Sequence, residues 1–304
     1  MTAPEQGRGR AGSRFLEVLR GPEPVRAVEL RPPPARLDAG RSLEAWIDLD
    51  REVRRLLAAD RFVLFTDDAV GRPEEESLRV LAANLGPDAD LSGVIPFLTC
   101  KHTLEYCDLF ARRAVARGLG GLTVTGGDAS VGPPRCLPRS RHLRQRLRGR
   151  TGDLPLGAWV NPYRDPAEQV GLLLEEGHHA DYFLTQVVSH HDMAPVDRFL
   201  EEAERRGLET PGLFGVFFYR SPNPDTLRRL ARFLPVPVEE VLAEFDRGAS
   251  AEEICARTLR ALAARGVEKV YLSNLELRGG CRRLERVEAL TGEGAAVRGA
   301  VSAE

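Results

Sequence analysis

The stretch VIPFLTCKHTLEYCDLFARRAVARGLGGLTVTGGD, residues 94–128, decides the fold. It opens with a β-rich apolar run, 94–99, passes through a segment of helical periodicity, 104–117, and returns to a second apolar run, 120–125. Strand, crossover helix and strand in that order make a parallel βαβ unit. Polar residues follow each run: Cys100-Lys101-His102 after the first and Gly126-Gly127-Asp128 after the second.

The same alternation extends both ways. Towards the N-terminus lie apolar runs at 25–30 and 61–66, followed by helical patterns that carry Leu43, Trp46, Ile47, Leu49, Val53, Leu56 and Leu57, and then 74–85. Towards the C-terminus, a basic helix is expected near 139–148. Further runs at 156–160, 182–186, 212–218 and 267–272 alternate with helices at 166–176 and 194–206 and with three short helical stretches between Asp225 and Arg265. Eight such units predict a single-domain (β/α)8 TIM barrel over 21–304. An open doubly wound sheet is the alternative, but it calls for a glycine fingerprint after the first strand, where this chain reads Arg31-Pro32-Pro33-Pro34. Residues 1–20 read as a disordered lead. The segment after about residue 275, with Gly279-Gly280 and no clear core pattern, reads as an extension that packs loosely or caps one end.

A chain of 304 residues, 42% hydrophobic, is long enough for one large core. Its formal net charge of -2, with acidic and basic residues interspersed, gives no case for nucleic acid. No apolar run approaches the ~20 residues of a membrane span, and the N-terminus has no signal-peptide pattern. A cytoplasmic protein is expected, and homo-oligomerisation is compatible with this composition. Five cysteines without CxxC spacing argue against a disulfide framework or a structural zinc site. Lysine occurs only at Lys101 and Lys269, which confines any Schiff-base chemistry to those two.

Barrel enzymes place their chemistry on the loops that follow the strands. Here those positions hold Glu29, Thr66-Asp67-Asp68, Thr99 to His102, Thr125 to Asp128, Asn161, Thr185-Gln186, Tyr219-Arg220 and Ser273-Asn274. Glu29 is placed to act as a general acid at the barrel mouth, or else to form a local ion pair with Arg26 or Arg31. Asp128 follows two glycines that admit a flat ligand, although Gly-Gly-Asp also makes a plain turn. Gln186 needs partners from a ligand or from the backbone. His178-His179 falls at the wrong end for catalysis. His190-His191 falls at the correct end, but adjacent side chains are expected to diverge, so no metal site is assigned.

Several segments, in the correct order, resemble the methylenetetrahydrofolate reductase family. Val28-Glu29-Leu30-Arg31-Pro32-Pro33 resembles its Phe-Glu-Phe-Phe-Pro-Pro motif, and Pro96-Phe97-Leu98-Thr99-Cys100 its Pro-His-Leu-Thr-Cys strand. Gly126-Gly127-Asp128 with Pro133-Pro134 is similar to Arg-Gly-Asp-Pro-Pro, and residues 180–186 to Ala-Asp-Phe-Ile-Ile-Thr-Gln. The resemblance spans roughly 25–274 and marks the chain as a divergent member. It implies reduction of 5,10-methylenetetrahydrofolate with NAD(P)H, through FAD or by direct hydride transfer. Carried over motif by motif, Glu29 is the general acid and Asp128 tunes the electrostatics beside flavin and folate. Gln186 and Asn274 bind substrate, while Thr66, Thr99, Gly127 and Asp128 line the cofactor site. Where the family offers Leu-Lys-Arg-Lys to the flavin diphosphate, this chain reads Leu172-Leu173-Leu174-Glu175. Two further readings stay open: a Schiff-base lyase using Lys101, and a noncatalytic folate-binding barrel.

Overall fold

The computed structural model describes residues 13–67, 89–128, 130–176 and 180–292. Eight parallel strands close into a barrel in chain order: β1 (Val25–Leu30), β2 (Phe62–Phe65), β3 (Val94–Thr99), β4 (Leu122–Thr125), β5 (Leu156–Val160), β6 (Tyr182–Val188), β7 (Gly212–Phe217) and β8 (Lys269–Ser273). Closure is made by β8 on β1, with Ala27 opposite Tyr271. The described helices are α1 (Ser13–Arg20), α2 (Ala39–Ala58), α3 (Leu104–Ala116), α4 (Ser140–Thr151), α5 (Pro166–Leu174), α6 (Ala194–Arg205), α7 (Pro224–Leu230), α8 (Val238–Asp246), α9 (Ala251–Ala263) and α10 (Gly280–Thr291). The helix expected at 74–85 and the His178-His179 pair lie outside the described residues. Among the described residues no helix is long and apolar enough to cross a membrane.

Alternate strand residues face inward and fill the barrel. Val25, Ala27, Phe62, Leu64, Ile95, Phe97, Tyr182, Leu184, Leu213 and Tyr271 form one buried cluster, with Trp159 packed against it. The opposite strand faces pack on the helices in a second, larger core. Two interior tyrosines are seated against glycines on neighbouring strands. A Cβ at Gly157 would lie 2.4 Å from the Tyr182 ring, and one at Gly215 would lie 2.5 Å from the Tyr271 hydroxyl. Any larger residue at either position would displace a fully buried ring.

Three expectations are corrected. Residues 13–20 belong to the fold rather than to a disordered lead: Phe15 and Leu19, four apart on one helix face, are buried at the N-terminal end of the barrel. Phe15 meets Phe62 and Tyr182 edge-on, at 4.9 and 5.0 Å between centroids. The segment after residue 275 is no loose extension but the helix that follows β8. Leu284 and Val287 are buried, and the fully buried Glu52 carboxylate of α2 accepts the Cys281 amide in the first turn of α10. Finally, Leu43 and Ile47 are exposed, because α2 meets the barrel through Trp46, Leu49, Val53 and Leu56.

Candidate functional site at the barrel mouth

Because all eight strands run in parallel, their C-terminal ends open on one mouth, and Glu29, Asp128 and Gln186 all sit on that side. Glu29 is inward-facing on β1, two residues beyond Ala27, and half-buried. Its Oε1 accepts a hydrogen bond from Ser273 Oγ at 3.0 Å. Beneath it the Tyr271 phenol is raised well above its usual pKa, by burial first and by the Glu29 carboxylate second. Tyr271 therefore stays protonated and donates to the Thr185 carbonyl at 2.5 Å. The Thr185 hydroxyl in turn accepts the Gly215 amide at 3.0 Å and donates to the Gln186 carbonyl at 2.8 Å. These bonds hold the register shift in β6 between Leu184 and Val187. Glu29 and the Gln186 segment are thus joined through β8. The Gln186 side chain itself turns back, its Oε1 accepting the Val187 amide at 2.9 Å.

Asp128 belongs to a different sector. Its Oδ1 accepts from the Ser130 amide at 2.8 Å and the Ser130 hydroxyl at 2.6 Å. These two bonds hold its carboxyl below the usual carboxylate range, with smaller contributions from Lys101 and Arg135. Gly127, at φ +68°, closes over Lys101: a Cβ there would lie 2.8 Å from Lys101 Cγ. Arg135 donates to the Gly127 carbonyl. The Lys101 ammonium is buried and donates to the carbonyls of Val131 at 2.7 Å and Pro133 at 2.9 Å. It fastens this loop, and a Schiff-base nucleophile would have to leave both bonds first.

Between these sectors, Thr66 continues the β1–β2 ladder by donating its amide to the Leu30 carbonyl at 3.1 Å. The Asp67 carboxylate accepts the Thr99 amide at 2.7 Å and meets His102 Nε2 at 2.8 Å. Asp67 and His102 both appear among the strand-end residues, but their pairing across β2 and β3 carries no local sequence signal. Asn274 is a turn residue: φ of +70° suits asparagine, its Nδ2 donates to the Phe218 carbonyl at 3.0 Å, and Arg220 holds its own carbonyl at 2.7 Å. The Asn161 side chain likewise accepts the Tyr163 amide, at 3.0 Å. Phe97 and Trp159, 5.8 Å apart edge to face, and Tyr271, 6.4 Å from Trp159, line the interior below these polar groups.

One side of the mouth is covered. Inward-facing Val187 and Phe217, with Tyr219, pack against Leu227 of α7, Val241 of α8 and Ile254 of α9. His190 and His191, expected to diverge, are both turned towards Glu244 of α8, their rings 4.0 Å apart.

Fold and site together define a (β/α)8 barrel with a carboxylate-bearing C-terminal mouth. No family model and no curated protein matches the chain. Among solved structures it is similar to an uncharacterised protein from Clostridium thermocellum that binds two copies of 5-methyl-5,6,7,8-tetrahydrofolic acid. The TM-score is 0.63 at 16% identity, over 94% of this chain and 99% of that one. It is also similar to a dihydrodipicolinate synthase from Agrobacterium tumefaciens, with a TM-score of 0.50 at 14% identity, over 92% of this chain and 78% of that one. At these identities the likeness establishes the fold.

Proposed function

We propose that this chain binds a reduced folate at the barrel mouth and reduces 5,10-methylenetetrahydrofolate to 5-methyltetrahydrofolate with hydride from NAD(P)H. The observation that carries the reading is Glu29: an inward-facing carboxyl at the end of β1, steadied by Ser273, where a proton donor to a bound ligand is needed. The ordered motif resemblance supports it, as does the full-length likeness to a barrel that binds 5-methyltetrahydrofolic acid.

The FAD expected from the resemblance does not fit the residues present. Where the flavin diphosphate needs cations, Leu173 is buried, Leu174 is apolar and Glu175 is itself paired with Arg141 at 2.8 Å. Protonated Glu29 delivers its proton to a ring nitrogen as the methylene carbon–nitrogen bond breaks. The bonding pair stays on nitrogen and the carbon becomes an iminium cation. Hydride from the nicotinamide adds to that carbon to give the methyl group, and the nucleotide leaves oxidised. Ionised Asp128 and the Asp67 carboxylate keep the mouth favourable to the transient cation.

The deciding measurement is NAD(P)H oxidation on methylenetetrahydrofolate by the purified protein, with its visible spectrum recorded before and after FAD addition. The expected result is turnover by a colourless protein that FAD does not accelerate. Binding of 5-methyltetrahydrofolate without turnover on either nucleotide would instead assign a noncatalytic folate carrier. That second reading is favoured by the Clostridium thermocellum neighbour, which is described by its binding alone.

A further inference from the structure

We propose that His190, His191 and Glu244 form a site for a divalent transition-metal ion of the zinc type, tying the exit of β6 to the covering helix α8. The three side chains offer ligand atoms that all lie within 4.8 Å of one another. His190 Nε2 is 3.2 Å from Glu244 Oε1, and His191 Nε2 is 3.7 Å from Oε2. Ligands about 2.0–2.1 Å from a tetrahedral zinc stand about 3.3 Å from each other, close to both nitrogen–carboxylate distances here.

The outer contacts set up this geometry. His190 Nδ1 is held by the Thr258 hydroxyl at 2.9 Å, and His191 Nδ1 by the Ser189 hydroxyl at 2.8 Å. Both rings are thereby oriented with Nε2 towards the carboxylate, as a hydrogen bond to the far ring nitrogen orients a ligating histidine. Each Nε2 faces one oxygen of the Glu244 carboxylate, and the neutral tautomer protonated at Nδ1 would offer both Nε2 lone pairs to a cation. Arg257 also donates to Oε1, at 2.6 Å, beside His190 Nε2, while Oε2 faces His191 Nε2.

Two atoms remain unaccounted for without an ion. His191 Nε2 and Glu244 Oε2 are buried and have no hydrogen-bond partner, on side chains only 10% and 8% exposed. Three protein ligands leave a fourth position to water.

The test uses the full chain, stripped with a chelator and titrated calorimetrically with Zn2+, with the visible spectrum of the Co2+ form as a second readout. One equivalent should bind with a Kd below about 1 µM, and Co2+ should give the intense bands of a four-coordinate site. H191A and E244Q should each weaken binding by about 100-fold or more. H178A/H179A, which removes the other histidine pair, should leave it unchanged. The proposal is overturned if the wild-type chain takes up no Zn2+ at about 100 µM, if H191A binds as well as wild type, or if H178A/H179A abolishes binding. Should a variant fail to fold, the wild-type stoichiometry and the Co2+ spectrum decide the matter on their own.

Discussion

At the N-terminal end of the barrel, Phe15 and Leu19 of α1 press on Phe62 and Tyr182, and the closure is apolar and aromatic. At the C-terminal end the interior opens instead on Glu29, Asp67, Asp128, Lys101 and Arg135, each held by named hydrogen bonds. Burying apolar area contributes stability without direction. Orienting carboxylates and amides costs desolvation, and that cost is offset only where a function or a partner uses the group. The same eight strands therefore carry an apolar closure at one end and a polar mouth, the proposed site, at the other. Substitutions that separate the two ends are the sharpest way to break that division.

The largest effect is expected at Glu29. E29Q should lower folate reduction by roughly 10²–10⁴-fold while the melting temperature stays within about 2 °C; near-normal turnover would remove Glu29 from the acid role. At the other end, F15A should cost about 3–5 kcal/mol in denaturant unfolding. Its folate affinity, measured below the unfolding transition, should match wild type, and a parallel loss of affinity would show that the ends are coupled.

The two interior tyrosines make a finer comparison. Y271F removes the donor to the buried Thr185 carbonyl and should cost about 1–3 kcal/mol. It should also weaken folate binding, because Tyr271 underlies both Glu29 and the Gln186 segment. Y182F removes a hydroxyl that meets Thr123 at 2.9 Å, and should lower stability alone. Equal affinity losses in both would argue that the whole interior, rather than its upper layer, shapes the site.

The smallest effect is in pH dependence. The His191 imidazole is held below its usual pKa in the folded chain by burial. The unfolded chain therefore binds more protons as pH falls through the ordinary histidine range near ~6.5, and stability declines in that window. Between about pH 7.5 and about pH 5.5 the chelator-treated wild type should lose about 1–2 °C more in melting temperature than H191Q. F15A should keep the wild-type slope, since the group responsible lies at the mouth. A steeper slope in H191Q would reverse the sign assigned to this histidine.

The barrel was legible because each strand and helix has a local period. Residues 94–99 and 156–160 match β3 and β5 residue for residue, and the three short helices before β8 appear as α7, α8 and α9. Where the local signal was thin, the reading missed. Phe15 and Leu19 are two apolar residues at the edge of a Gly/Arg/Pro-rich segment, and Leu284 and Val287 are sparse among charged residues. Each pair gains its meaning only from the surface it buries against. At the site, Glu29 could be read from its place at a strand end, because the parity of β1 points it inward. Asn274 could not: its positive φ and its bond to the Phe218 carbonyl make it a turn residue.

From sequence alone come the number and order of the β/α units, the end of the barrel where the polar residues gather, and Glu29 as a carboxylate at the end of the first strand. Periodicity and strand ends are properties of neighbouring residues, so no folded coordinates were needed to read them. Tertiary structure alone decided that Asp67 meets His102 across 35 residues, that Lys101 fastens a loop, and that His190 and His191 both face Glu244 of a distant helix. Such pairings arise from how strands and covering helices are brought together in space, and nothing in the local spacing of the chain encodes them.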